Sequence, residues 1–187
     1  MQTKNEIRKE ARRRRDELPA EARMVYNEQI CRRIKSLFWY QYSKELLVYA
    51  AIQSEVDLQN LFVQAWKEQK SLYFPKVQGA DLEFYRVNSL EELKKGSFGV
   101  PEPVDLQSPW TENPKKNALI LVPGVAFQDN GARLGYGKGY YDTFLARHPA
   151  LFKAGIAYEC QLFRDWQKEL HDVSMDLLIT EQRELIM

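Results

Sequence analysis

Short apolar runs alternate with helix-like segments along this chain, and that alternation limits its possible folds more than any other feature. The run from Leu46 to Ile52 is apolar and partly β-branched, and the run from Ala118 to Val122 is apolar throughout. Strands of this kind are covered on both faces, as in parallel sheets. Because strands alternate with helices, the sequence predicts an α/β protein with a mostly parallel central sheet flanked by helices.

The remaining elements are predicted from apolar periodicity, turn residues and capping signals. Apolar residues at helical spacing predict a first helix from Thr3 to about Leu18, with Pro19 ending it. Ser89 and Glu92 match a capping box at the start of a short helix. The other predicted helices run from the residue after Pro19 to Tyr40, from Asp57 to Lys70, from near Gly139 onward, and from Leu162 to Leu170. The other predicted strands are Ser71 to Val77, Asp81 to Val87, Lys153 to Tyr158 and Met175 to Thr180.

Length, charge and cysteine content exclude several classes of protein. The 187 residues suit one core, so we assign residues 1–187 to a single domain. A formal net charge of +1 gives no general attraction to nucleic acid or to an acidic membrane. With no secretory leader and no apolar run near the ~20 residues of a membrane helix, we expect a cytoplasmic protein. Cys31 and Cys160 form no metal-ligand pair, and we expect two buried, non-catalytic thiols.

The segment from Pro123 to Leu145, directly after the second apolar run, carries the strongest signal for chemistry. Five glycines fall between Gly124 and Gly139. Glycine lets backbone N–H groups approach an anion closely, and a following helix N-terminus adds partial positive charge. Arg133 and Lys138 supply full charges. The pattern predicts a phosphate-binding loop, with a tight strand-to-helix turn as the alternative. It is not a Walker A loop, because Gly139 replaces the Ser or Thr that would hold magnesium.

A stripe of cations near the start of the chain is a second candidate. Lys4, Arg8, Arg12 and Arg15 recur at helical spacing, and residues 1–15 carry seven basic and two acidic side chains, a net charge of +5. The stripe suits a clamp on phosphates or a nucleic-acid arm, with a solvated helix face as the alternative. The four consecutive arginines that end this segment cover every side of a helix, so we expect them to be solvated.

Carboxylates follow the first apolar run and flank the later elements. Glu55 has no evident structural role, whereas Asp57 is placed to cap the next helix. Asp142, in the first turn of the helix after the glycines, offers oxygens suited to Mg²⁺, or complements the helix dipole. Asp176 precedes the last strand and is a further candidate for the same cleft. The sequence has no Ser/His/Asp arrangement, so covalent catalysis is not predicted.

The stretch from Leu121 to Leu145 resembles the signature of the 5-formyltetrahydrofolate cyclo-ligases, in which a strand delivers a glycine-rich loop ending in GKGYYD. Other blocks resemble the family in its own order, and together they cover nearly the whole chain. These blocks are the Lys4/Arg8 helix, the Glu55-Val56-Asp57 turn, YFPKV, GSFGVPEP and HDVSMDLLIT. The resemblance implies a fold like that of ribose-5-phosphate isomerase and the CoA-transferases, the NagB/RpiA-like fold.

The resemblance also implies an enzyme that uses ATP and Mg²⁺ to cyclise 5-formyltetrahydrofolate to 5,10-methenyltetrahydrofolate, with release of ADP and phosphate. Phosphorylation of the formyl oxygen would prepare it for displacement by N10, with Arg133 and Lys138 as the catalytic residues. The implied ATP-binding residues are Lys4, Arg8, Arg133, Leu134, Gly135, Tyr136, Gly137, Lys138, Gly139, Tyr140 and Tyr141. The implied folate-binding residues are Ile52, Glu55, Phe98 and Tyr141, and the implied metal ligands are Asp142 and Asp176.

Two other functions stay open on the sequence alone. A phosphosugar isomerase or a CoA-transferase-like enzyme would use the same fold, because fold does not decide function. The cations around the glycine loop exceed what one sugar phosphate requires, which favours ATP. A nucleic-acid module that uses the arginine run is the non-enzyme alternative. The resemblance implies a polyglutamylated folate substrate, and we expect a monomer that binds neither nucleic acid nor membrane.

Overall fold

The structure is a computed structural model that describes residues 2–96, 99–113, 117–164, 166–169 and 171–187. The helices are α1 (Lys4–Asp16), α2 (Ala20–Ser36), α3 (Phe38–Tyr42), α4 (Gln59–Lys67) and α5 (Tyr140–Arg147). The strands are β1 (Glu45–Leu47), β2 (Ser71–Gln78), β3 (Asp81–Val87), β4 (Leu93–Lys95), β5 (Pro101–Pro103), β6 (Ala118–Pro123), β7 (Ala126–Phe127), β8 (Arg133–Leu134), β9 (Phe152–Ile156), β10 (Leu177–Ile179) and β11 (Glu184–Ile186). Single 3₁₀ turns lie at Leu90–Glu92 and Glu159–Gln161.

A seven-stranded sheet in the order β11-β10-β9-β6-β1-β2-β3 forms the centre of the fold. The five inner strands are parallel, and β3 and β11 pair antiparallel at the two edges. The two apolar runs lie side by side, with Leu46 opposite Leu119. The predicted α/β fold with a mostly parallel sheet is therefore confirmed, whereas the kinship with ribose-5-phosphate isomerase and the CoA-transferases stays a prediction.

Helices cover both faces of this sheet. Ile34 of α2 and Phe62 of α4 pack on one face with Leu119, while Phe144 of α5 packs on the other with Ile120. Leu119 and Ile120 are fully buried although they point to opposite faces, as a continuous apolar strand predicts. Within the described part of the chain, no helix combines the length and apolar content that crossing a membrane requires.

The chain reverses its direction across the sheet between β1 and β6. From β1 it passes to β2 on one side, whereas β6 lies on the other side and is followed outward by β9 and β10. Such a reversal in a parallel sheet opens a crevice beyond the carboxyl ends of the two central strands. The segments after β1 and after β6 therefore meet at this crevice.

The first apolar run forms a shorter strand than predicted. β1 ends at Leu47 instead of Ile52. Val48 still donates its N–H to the carbonyl oxygen of Tyr73 at 2.9 Å, but the residues after it leave the ladder. Tyr49 is buried at the end of the sheet although it belongs to no strand. The residues freed in this way form the wall of the crevice that carries Glu55.

Two predicted helical features differ in the structure. The second helix is interrupted at Leu37, whose extended backbone separates α2 from α3. The capping box of Ser89 and Glu92 does not form, because the Ser89 side chain makes no capping bond. Glu92 instead accepts the N–H of Asn88 at 3.0 Å and supports only one 3₁₀ turn.

The predicted helix from Leu162 to Leu170 is wrong for the described residues of that segment. Leu162 pairs with β7 as an isolated bridge, and the described residues after it are irregular. Phe163 and Trp166 of this segment are buried against α1 and the β7–β8 hairpin. Tertiary contacts with α1 replace helical packing here. The antiparallel strand β11 was also missed, because three residues carry too little periodicity.

The two cysteines lie in different surroundings. Burial raises the pKa of the Cys31 and Cys160 thiols to about 11, so both stay protonated at neutral pH. Cys31 is buried in the core, whereas Cys160 is half-buried. The prediction of two buried thiols is thus confirmed only for Cys31.

The turn before β8 contains a glycine whose replacement we expect to destabilise the fold. Gly131 has a φ of +81°, and an added Cβ would lie 2.6 Å from the carbonyl oxygen of Met175. We expect Gly131→Ala to lower the free energy of unfolding by about 2–4 kcal/mol, because left-handed strain and steric overlap add. Gly79→Ala is the matched control, since Gly79 has a φ of +61° and no neighbour within 4 Å. It should cost about 1–2 kcal/mol. Urea denaturation measures both variants, and equal losses of unfolding free energy in Gly131→Ala and Gly79→Ala would contradict the steric account.

Candidate functional site

A cavity of about 810 Å³ lies beyond the carboxyl ends of β1 and β6. Its volume falls in the range of about 300–1,000 Å³ typical of small-molecule sites. Its walls include parts of α1, the segment after β1, the loop before α5, and Glu169, His171 and Asp172. All the described residues predicted to bind ATP or folate line this one cavity, namely Lys4, Arg8, Ile52, Glu55 and residues 133–141. Phe98 lies outside the described residues.

The glycine-rich loop takes backbone conformations that other residues rarely adopt. Gly137 and Gly139 have φ of +98° and +72°, and Gly139 immediately precedes α5. At Gly135 an added Cβ would lie 2.8 Å from Nη1 of Arg133, so a side chain here would displace that guanidinium. These glycines let the loop turn tightly and hold its backbone at the cavity wall.

Arg133 is a fixed, buried cation at the base of this loop. It is 6% exposed, and its Nη2 donates to Oδ2 of Asp142 at 2.7 Å. The guanidinium lies 5.5 Å from the ring centroid of Tyr141, a cation–π distance. Its Nε is buried and has no hydrogen-bond partner among the described residues. A buried donor of this kind is a group that a bound ligand or water satisfies.

The start of α1 brings two more cations to the cavity. Thr3 caps the helix through a complete capping box with Glu6, which fixes where α1 begins. Arg8 donates from Nε to the carbonyl oxygen of Gly135 at 2.8 Å and so ties α1 to the glycine loop. The predicted contribution of α1 to the cavity is present in the structure.

Lys4 is held by two carboxylates on the opposite wall. Its Nζ lies 2.7 Å from Oε1 of Glu169 and 2.9 Å from Oδ2 of Asp172. Partial burial disfavours the charge of Lys4, but the hydrogen bonds to Glu169 and Asp172 outweigh this and raise its pKa. The ammonium is thus charged and neutralises an acidic corner of the cavity.

Glu55 is a buried carboxylate at the other side of the cavity. It is 8% exposed, its Oε2 accepts the N–H of Ile52 at 3.0 Å, and its Oε1 accepts the hydroxyl of Tyr136 at 2.7 Å. Burial raises the pKa of Glu55, whereas the bonds from Tyr136 and Ile52 and the charge of Arg15 oppose that rise. A carboxylate placed in this way can accept N–H donors from a ligand.

Asp142 and Asp176, the two predicted metal ligands, are not brought together. Asp142 lines the cavity, and its Oδ1 accepts the N–H of Val173 at 3.1 Å. Asp176 does not line it and stands at the amino end of β10, where its Oδ2 lies 2.8 Å from both the backbone N and the Nζ of Lys153. In a parallel sheet the amino ends of the strands lie at one end of the sheet and the carboxyl ends at the other. The predicted pairing of Asp142 with Asp176 at one metal ion is therefore corrected.

The carboxylate that does lie beside Asp142 was missed by the sequence analysis. Asp172 lines the cavity and is adjacent in the chain to Val173, which binds Asp142. Asp172, Glu169 and His171 place one potential ligand atom each within 4.8 Å of one another. The signal available in the sequence was the position of Asp172, which lies just before β10 and next to a histidine.

Two further side chains differ in part from expectation. Arg15 is not solvated but 1% exposed, because it turns inward beneath the cavity wall. Asp57 does accept the N–H of Gln59 at 2.9 Å, the first residue of α4, so it supports the helix start as predicted. Leu58, however, occupies the capping position itself.

Fold and cavity together define an α/β protein with a cation-lined cavity at the switch point of a parallel sheet. The model of the 5-formyltetrahydrofolate cyclo-ligase family matches residues 1–181. The chain therefore belongs to the 5-formyltetrahydrofolate cyclo-ligase family, and the resemblance seen in the glycine loop is confirmed.

Individual relatives agree with this assignment. A probable 5-formyltetrahydrofolate cyclo-ligase of Schizosaccharomyces pombe is 30% identical over 169 residues, covering 82% of this chain and 83% of its own. The Mus musculus 5-formyltetrahydrofolate cyclo-ligase is 28% identical, covering 95% and 93%. The solution structure of Aquifex aeolicus 5,10-methenyltetrahydrofolate synthetase is 39% identical, with a TM-score of 0.84 over 98% of this chain and 92% of that one. The alternative of a phosphosugar isomerase or CoA-transferase-like enzyme finds no support among these relatives.

Proposed function

We propose that this chain cyclises 5-formyltetrahydrofolate to 5,10-methenyltetrahydrofolate in the cavity at the switch point, with ATP as co-substrate. The observation that carries the proposal is the meeting of the glycine loop, three cations and a buried carboxylate around one cavity. The cations are Arg8, Arg133 and Lys138, and the carboxylate is Glu55. The three cations suit the phosphates of a polyphosphate, and the carboxylate suits the N–H groups of a flat heterocycle.

The chemistry explains why ATP is needed. The formyl group on N5 has an amide-like oxygen that leaves poorly. Transfer of the γ-phosphoryl group to this oxygen releases ADP and makes the oxygen part of a leaving group. N10 then attacks the formyl carbon and loses its proton, the carbon–oxygen bond breaks, and phosphate leaves with the former formyl oxygen. No protein nucleophile takes part, in agreement with the sequence.

The protein's task is positioning and charge neutralisation, which dominate phosphoryl transfer. Arg8, Arg133 and Lys138, with backbone N–H groups of residues 134–141, would bind the phosphates of ATP. Arg133 is held in place by Asp142 and Tyr141, so it needs little reorganisation when the charge on the phosphoryl group changes. We assign the catalytic roles to Arg133 and Lys138.

Asp142 and Asp172 fit a magnesium ion better than the pair predicted from sequence. Carboxylate oxygens are the donors Mg²⁺ prefers, and bound Mg²⁺ would offset the charge of the transferred phosphoryl group. The ammonium of Lys4 already occupies a cation position at Asp172. We propose Asp142 and Asp172 as the ligands, with Lys4 moving to the ATP phosphates when the metal is present.

Glu55 would orient the pterin ring through its N–H groups, with Ile52 and Tyr141 packing against the ring. All three residues line the cavity on the side of β1 and α5. The part of Phe98 in folate binding stays a prediction, as do the polyglutamylated form of the substrate, the monomeric state and the cytoplasmic location.

Isotope transfer tests the proposed reaction. We expect substrate labelled with ¹⁸O in the formyl group to yield one labelled phosphate per methenyltetrahydrofolate formed, with one ADP. Mass spectrometry of the released phosphate measures this. Unlabelled phosphate at full turnover would rule out phosphorylation of the formyl oxygen.

A further inference from the structure

Arg15 is a buried guanidinium that the proposed ATP site does not use. It is 1% exposed and lies outside the cavity lining, although it belongs to the same helix as Lys4 and Arg8. Its Nε donates to Oγ of Ser54 at 3.0 Å. Burying an arginine is costly unless its charge and donors are matched. Its neighbours therefore indicate what it does.

Those neighbours connect Arg15 to the folate side of the cavity. Nη2 of Arg15 donates to the hydroxyl of Tyr136 at 3.3 Å, and that hydroxyl donates to Oε1 of Glu55 at 2.7 Å. Nη1 of Arg15 lies 3.9 Å from the same carboxylate oxygen. Arg15, Tyr136 and Glu55 thus form a closed triangle of contacts, with Tyr136 and Glu55 at the cavity wall and Arg15 behind it, which we call the Glu55 triangle.

The geometry points to Arg15 as a positioning residue for folate recognition, which holds Glu55 ionised and oriented both directly and through Tyr136. This inference rests on the proposed folate-binding role of Glu55. An ionised carboxylate offers only acceptors to the N–H groups of a ligand, whereas a protonated one presents an O–H donor, and Arg15 would keep Glu55 ionised in its buried position.

The other groups around Glu55 do not take over this role. Asp16 on α1 accepts the hydroxyl of Ser54 and is itself acidic. Tyr49, which follows β1, and Tyr141 of α5 are neutral phenols whose pKa values burial raises. Arg15 is therefore the cation among the groups identified around Glu55. Burial raises the pKa of Glu55, and the charge of Arg15 acts against that rise.

The sign of the pH effect follows from this arrangement. Folate binding needs ionised Glu55, so kcat/KM for 5-formyltetrahydrofolate should fall as the pH drops through the pKa of Glu55. Without Arg15 that pKa rises further, so the acid limb of the profile should move to higher pH. A shift of one pH unit corresponds to a tenfold change in the ionisation equilibrium.

Arg15→Met and Arg15→Lys test the inference. We expect Arg15→Met to move the acid limb up by about one pH unit and, at pH values below that limb, to raise KM for 5-formyltetrahydrofolate about tenfold relative to the wild type. KM for ATP should stay within twofold, because Lys4 and Arg8 are untouched. Arg15→Lys restores the charge, so it should return the acid limb toward that of the wild type.

A purely structural role for Arg15 gives a different result. Loss of the α1 anchor would raise KM for ATP and for folate together and would leave the acid limb in place. Either finding in the Met variant would overturn the inference. If Arg15→Met does not fold, Arg15→Lys and Tyr136→Phe decide it, since removing the Tyr136 hydroxyl should also move the acid limb upward. An unmoved limb in Tyr136→Phe, with a wild-type KM for folate, would count against the Glu55 triangle.

Glu55→Gln separates failure of this inference from failure of the proposed folate role. If Glu55 binds folate, this variant raises KM for folate and removes the acid limb, and adding Arg15→Met changes KM for folate no further. A wild-type KM for folate in Glu55→Gln would refute the folate role itself. A raised KM with full additivity of the two substitutions would refute only the coupling to Arg15.

Discussion

Lys138→Ala is expected to lower kcat/KM for ATP about 100-fold or more, with the free energy of unfolding unchanged within about 0.5 kcal/mol. Lys138 is exposed and lies at the cavity between two glycines that take positive φ. Its side chain adds a full positive charge at a point where its two glycine neighbours provide only backbone dipoles. Charge neutralisation on the transferred phosphoryl group is what such a site contributes, so its loss affects turnover and not folding.

The matched control for this substitution is Lys35→Ala. Lys35 is an exposed lysine of α2 outside the cavity, so its removal should leave turnover at the wild-type level. Steady-state rates at varied ATP, together with urea denaturation of both variants, measure the difference. Wild-type turnover in Lys138→Ala would contradict the phosphate role of the loop lysine.

Asp172→Asn is expected to raise the Mg²⁺ concentration for half-maximal activity at least about tenfold, because a charged ligand is replaced by a neutral amide. Asp176→Asn should leave this concentration unchanged, since Asp176 lies outside the cavity and is paired with Lys153. Asp176→Asn should instead lower the free energy of unfolding by about 1 kcal/mol. The substitution removes the half-buried carboxylate that pairs with the buried ammonium of Lys153.

Metal binding can be followed without turnover for the same pair of variants. Electron paramagnetic resonance of Mn²⁺ in the presence of ADP should show weakened binding in Asp172→Asn and normal binding in Asp176→Asn. The reverse pattern would restore Asp176 as the ligand and remove Asp172 from the proposed metal site.

The features that sequence could predict are those set by local signals. Continuous apolar residues at Ala118 to Val122 predict a strand buried on both faces, because no polar face is available for solvent. Glycines around Lys138 predict a tight loop since few other residues adopt its conformations. Both signals are read within a dozen residues, and both agree with the structure.

The features that sequence missed depend on contacts between distant segments. Arg15 belongs to a run of arginines, and only the approach of Glu55, forty positions along the chain, makes it a buried side chain. Phe163 and Trp166 have helical spacing and pack against α1, but the described residues of their segment are irregular. Asp176 precedes β10, and only the direction of that strand shows that the carboxylate lies at the amino ends of the strands, away from the cavity at their carboxyl ends.

The central claim is an ATP-dependent cyclisation by this chain, and absorbance at the methenyltetrahydrofolate band tests it most directly. Purified protein is mixed with 5-formyltetrahydrofolate and Mg²⁺, with and without ATP, after circular dichroism has confirmed that it is folded. We expect the absorbance to rise only when ATP is present and to be lost with Lys138→Ala. No rise with ATP, or an equal rise without it, would contradict the proposed function.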